Sequence, residues 1–153
     1  MIQRIQSVYL FIAFIIMSLL FLRSIVLIKI SGIIPEQQEM LLYLDDDILD
    51  IYDHGILLAF TSLTAIISLI TIFLYRKRDL QILLTRGSML IAFFFLIFTI
   101  YLTYSDLKPF YTSIRITPAL GLFLPFVTII FLILAVQGIK KDNKLVRSMD
   151  RLR

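Results

Sequence analysis

The sequence predicts an all-α membrane protein: a four-transmembrane-helix bundle, both termini inside, with a small β cap from the outer loops and an amphipathic C-terminal tail helix. Three observations predict it. The 153 residues are 59% apolar and 17% charged, with a mean hydropathy of +0.94, whereas a soluble domain must present a charged surface to water. Residues 56–75 and 87–104 carry no charge, and an α-helix of about 20 apolar residues crosses roughly 30 Å of hydrocarbon. Between them stand Arg76, Lys77, Arg78 and Asp79. Cations resist translocation far more than carboxylates do, so this turn marks the cytoplasmic side.

With the turn inside, the remaining charges sort themselves. Arg4, Arg86, Lys140, Lys141, Lys144, Arg147, Arg151 and Arg153 fall on the same side as the turn, with only Asp79, Asp142 and Asp150 as acids. Outside, Arg23, Lys29, Lys108 and Arg115 face Glu36, Glu39, Asp45, Asp46, Asp47, Asp50, Asp53 and Asp106. The reverse orientation would carry the cation-rich ends across the bilayer. The basic pI near 9.5 therefore follows from topology and calls for no nucleic acid. Cysteine is absent, which excludes disulfides and thiolate metal sites.

Helix one is expected over about 5–24. Its basic start is like that of a secretory signal, but Leu19-Leu20-Phe21-Leu22 runs into Arg23 without a small-residue cleavage site, so it is read as a retained span. The outer loop 25–55 follows. Residues 25–30 are rich in β-branched side chains and read either as the helix end or as a strand. Residues 40–44 and 48–52 flank Asp45, Asp46 and Asp47 like the arms of a hairpin. In 111–117 the side chains alternate, with Tyr111, Ser113, Arg115 and Thr117 on one face and Thr112, Ile114 and Ile116 on the other. A three- or four-stranded cap joining the first and third loops is one reading. Irregular loops on the headgroups are the other.

Helix two is expected over 56–75. Thr61, Thr64, Ala65, Ser68 and Thr71 recur along it at spacings of three and four, a small, weakly polar stripe suited to close helix packing. The competing reading is a polar lane for a substrate, although such paths usually carry ionisable groups at depth. A four-residue turn at 76–79 makes helix three, about 80–104, the antiparallel neighbour of helix two, with Asp79 as its expected N-cap. Helix four is expected over 118–138, with Pro118 in its first turn and a kink at Pro125, whose ring lacks an N–H. In the tail 139–153, Leu145, Met149 and Leu152 share one face. That pattern suits a short amphipathic helix on an anionic leaflet or a partner.

Reaction chemistry finds little to work with. His54 is the one histidine, so a haem ligand at depth is lacking from that residue type, and a Ser-His-Asp arrangement built from His54 and Asp53 has little behind it. The acidic run Asp45, Asp46, Asp47 and Asp50 supplies oxygens for Ca²⁺ but not the EF-hand spacing. No phosphate loop or nucleotide fingerprint occurs, and no internal repeat points to an inverted-repeat transporter. No cofactor or metal is expected.

The start Met1-Ile2-Gln3-Arg4-Ile5-Gln6-Ser7-Val8-Tyr9-Leu10, the turn Arg76-Lys77-Arg78-Asp79-Leu80-Gln81 and the tail from Gly138-Ile139-Lys140-Lys141-Asp142 through Lys144 to Arg153 resemble the domain of unknown function 4293 family. The resemblance covers the whole chain and is weakest in the outer loops. It implies a four-helix inner-membrane protein of Bacteroidota-type bacteria and supplies no activity. The expectation is a non-enzymatic accessory or scaffold subunit in contact with anionic lipid and other membrane subunits. It would dock them through Arg76, Lys77, Arg78, Lys140, Lys141, Lys144, Arg147, Arg151 and Arg153, or through the outer cap. The alternative is a small transporter or channel component with the Thr/Ser stripe of helix two lining a path.

Overall fold

The structure is a computed structural model that describes residues 3–32, 48–75, 77–107 and 114–150, with side chains for 5–31, 48–75, 77–105 and 115–144. It contains four helices, α1 (Gln3–Leu19), α2 (Gly55–Phe73), α3 (Arg78–Leu107) and α4 (Leu120–Asp150). Three short strands join them: β1 (Ile28–Gly32), β2 (Ile48–Leu49) and β3 (Ile114–Pro118). Each helix packs against its neighbours in sequence and α4 closes back on α1, the ring of an up-and-down bundle. One end carries residue 3, the α2–α3 turn and the end of α4. The other carries the sheet.

Three helices, α2, α3 and α4, are long and apolar enough to cross a membrane. The fourth, α1, has a shorter apolar stretch, Ile5–Leu19. It stops five residues before the expected end. There the chain tightens into turns in which the amides of Leu20, Phe21 and Leu22 donate to the carbonyls of Met17, Ser18 and Leu19. The Tyr52 hydroxyl donates to the Phe21 carbonyl at 2.9 Å, and the Arg23 guanidinium lies 5.6 Å from the Tyr52 ring centre. These contacts, with the β-branched Ile25 and Val26, turn the chain toward β1.

The surface of the bundle inverts that of a soluble protein. Thr61, Thr64, Ser68 and Thr71 of α2, Thr85, Ser88 and Thr99 of α3 and Thr128 of α4 are fully buried. Phe73, Leu83, Phe93, Phe94, Ile100 and Leu120 are more than half exposed. Water would drive these two sets the other way. Small side chains inside let helices approach closely, and large apolar ones outside suit hydrocarbon.

The cap is a three-stranded antiparallel sheet of order β2-β1-β3, drawn from the first and third loops. Register pairs Lys29 with Thr117 and Ser31 with Arg115, and Ile30 with Ile116. The alternation follows the pleat: Arg115 and Thr117 are exposed, while Ile28 and Ile30 are buried against Met17, Leu20 and Phe95. The 40–44 arm and its acidic turn, like residues 111–113, lie outside the described residues.

Other boundaries differ from expectation too. Pro118 ends β3 rather than opening α4, as suits a residue without an N–H on an edge strand. Asp79 is not the N-cap: α3 begins at Arg78, and the Lys77 carbonyl accepts from the Gln81 amide at 2.9 Å. The tail is not a separate helix, because α4 runs unbroken through Gly138 to Asp150. Buried Ile139 and Asp142 hold the turns that follow Gly138 against the bundle.

Candidate functional site

The end of the bundle opposite the sheet gathers the polar chemistry. Asp142, on α4, is 7% exposed, and its Oδ2 accepts a hydrogen bond from Gln6 Nε2 at 2.5 Å. A buried carboxylate is costly unless it is hydrogen-bonded, and Gln6 comes from α1, 136 residues earlier. Gly138 makes the approach possible: a Cβ there would lie 2.9 Å from Gln6 Cγ.

The α2–α3 turn is tied to the same stretch of α4. Arg78 Nη1 donates to the Asp142 carbonyl oxygen at 3.3 Å, and Asn143 Nδ2 donates to Asp79 Oδ1 at 3.2 Å. Beneath them Gln81, 3% exposed, donates from Nε2 to the Thr71 carbonyl at 3.3 Å and so closes the end of α2. Asp79 also stands in the first turn of α3, where negative charge complements the helix dipole.

Around this junction Lys77, Arg86, Lys140, Lys141 and Lys144 are exposed and Arg78 is half-buried. The turn and α4 are thereby brought to one end face. Arg147 lies on α4 but its side chain is outside the described set, and Arg76, Arg151 and Arg153 lie outside the described residues altogether. The α2 stripe is buried at every position, Thr61, Thr64, Ala65, Ser68 and Thr71. The hydroxyls of Thr61, Thr64 and Thr71 donate to the carbonyls of Leu57, Phe60 and Ile67 within their own helix. Ser68 Oγ is buried without a partner among the described residues. Pro125 is buried inside α4, which continues through it.

Two features escaped the reading of the sequence. Thr85, Ser88, Ala92, Thr99 and Thr103 form a second buried small-residue stripe, on α3, and their spacing of three, four and seven is the same signal that marked α2. The Gln6–Asp142 pair had no such signal, since a contact between the two ends of the chain leaves no periodicity. At the sheet end, Asp53 Oδ2 accepts from the Asp50 amide and Asp50 Oδ1 from the Tyr52 amide, both at 2.6 Å. These carboxylates shape the turn before α2. Among the described residues no three His, Cys, Asp or Glu side chains gather to hold a metal. The run Asp45, Asp46 and Asp47 is outside them.

The profile of a protein family described as a domain of unknown function, DUF4293, matches residues 2–152. No curated protein and no solved structure matches the chain.

Proposed function

The chain belongs to the domain of unknown function 4293 family, and from that premise and its surface we propose a non-enzymatic accessory or scaffold subunit of a bacterial inner-membrane complex. Its termini are cytoplasmic, and it holds a partner through the basic face at the end opposite the sheet. One observation carries the proposal. On that end Lys77, Lys140, Lys141 and Lys144 reach solvent, while Asp142 is buried on Gln6 and Asp79, held by Asn143, is the one exposed acid among the described side chains there. The exposed face is left cationic. It lies on a rigid platform, since α1, α3 and α4 are joined there by side-chain hydrogen bonds.

The same face attracts anionic lipid, at about 1 kcal/mol per cation near the surface, so the test must separate the two. Lys140, Lys141 and Lys144 are exposed and can be changed together to Gln without touching the core. We expect the tagged full chain, extracted gently from native membranes, to bring down partner subunits that the triple variant loses. Both forms should still fractionate with the membrane. Identical partners on the triple variant would refute the inner-face proposal. Cutting the chain after Gln137 is a poorer test, because it removes buried Ile139 and Asp142 along with the charges.

A further inference from the structure

At the sheet end a groove of about 390 Å³ opens between the segment entering β1 and the first turns of α4, within the size range of small-molecule sites. Val26, Lys29, Ala119, Leu120 and Phe123 are among its lining residues. Its floor is fixed by backbone: the Gly121 amide donates to the Val26 carbonyl and the Ala119 amide to the Leu27 carbonyl, both at 3.0 Å. Its outer wall is apolar and exposed, Leu120 at 81% and Phe123 at 52%. Its rim is cationic. Lys29 lines it, and Arg115 stands outside the lining on the same outward face of the sheet, two register steps beyond Lys29. Both are exposed, and neither side chain is paired with an acid among the described residues. The start of α4 adds the partial positive charge of a helix N-terminus.

Cationic rim and apolar wall together match a molecule that is anionic at one end and hydrocarbon at the other. We propose that this groove binds one anionic phospholipid of the leaflet at the sheet end, its phosphate on Lys29 with Arg115 beside it and one acyl chain along Leu120 and Phe123. A free phosphate would leave the apolar wall without an occupant. The proposal rests on the membrane reading above, which places the first turns of α4 at a bilayer surface.

The chain has no tryptophan, so Phe123→Trp places a single fluorescent reporter in the groove. Ile130→Trp, at a residue 55% exposed further along α4, reports bulk lipid. The full chain is reconstituted in vesicles containing brominated phosphatidylglycerol or brominated phosphatidylcholine, whose bromines quench tryptophan on contact. We expect the groove reporter to prefer phosphatidylglycerol and the bulk reporter to show no preference. Lys29→Gln should weaken the groove preference about fivefold, the change equivalent to about 1 kcal/mol per cation, and Arg115→Gln should weaken it further. Both residues are exposed, so these variants keep the fold. Equal preference at the two reporters, or a preference indifferent to Lys29→Gln, would overturn the site. Displacement by soluble glycerol phosphate would overturn the lipid as its occupant. An unquenched bulk reporter would overturn the membrane reading itself, and the site with it.

Discussion

A single methyl group tests how closely α4 lies against the chain before β1. A Cβ on Gly121 would fall 2.6 Å from the Val26 carbonyl oxygen and 2.9 Å from its carbon, and backbone cannot swing aside as a side-chain tip can. Gly121→Ala should therefore destabilise the bundle by about 1–3 kcal/mol, the usual cost of overpacking, read as thermal unfolding in detergent. Gly87, inside α3 with nothing within 4 Å of such a Cβ, is the control. There Ala should gain up to about 1 kcal/mol through helix propensity. A second pair separates packing from passage on α2. Thr64 gives its hydroxyl to the Phe60 carbonyl, whereas Ser68 Oγ is buried with no partner among the described residues. Ser68→Ala should raise stability by about 1 kcal/mol by removing an unsatisfied group, and Thr64→Ala should not. A lane for substrate predicts instead that both changes reduce flux. At this scale the sequence showed which residues were small or polar, but not which backbone or carboxylate each would meet. Gly121 met Val26 and Asp142 met Gln6 only through the fold.

At the scale of elements, legibility followed physical range. The bodies of α2, α3 and α4 could be read because each is a long uncharged run, and hydrocarbon length sets a threshold any sequence can be measured against. The strand at 114–118 showed through as the alternation over 111–117, which depends on near neighbours, although irregular loops are the other reading of the sequence and Pro118 is expected in helix four. Ends were harder. The limit of α1 depends on Tyr52 reaching Phe21, and the persistence of α4 past Gly138 depends on the burial of Ile139 and on Asp142 bonding Gln6 of α1. Glycine after a span normally reads as a stop, yet here it is a point of close helix approach. That difference has a measurable outcome. A chain ending after Lys144 should unfold at the same temperature as the full chain. A chain ending after Gln137 should lose about 1–3 kcal/mol, since the buried Gln6 amide is left without its acceptor. Equal losses would mean that the junction holds nothing.

For the whole molecule the open matter is whether α1 crosses, since its apolar stretch is the shortest of the four. Two anchors bear on it. Near one end of α4 the Gly121 amide donates to the Val26 carbonyl, and near the other Asp142 accepts from Gln6. The 21 steps of α4 between them rise about 32 Å at 1.5 Å per residue, close to the thickness of bilayer hydrocarbon. Residues 6 and 26 are pinned to the two ends of that same stretch, and we propose from this that α1 with its closing turns crosses beside α4. On the proposed topology the cations set direction, because Lys140, Lys141 and Lys144 resist export. The absence of cysteine gives a clean background for single-cysteine labelling with a membrane-impermeant maleimide. We expect Lys29→Cys to label in intact spheroplasts, and Arg4→Cys and Lys140→Cys only in inverted vesicles. Labelling of Arg4→Cys from the same side as Lys29→Cys would mean that the first helix does not cross, and the two-anchor geometry would then fail with it.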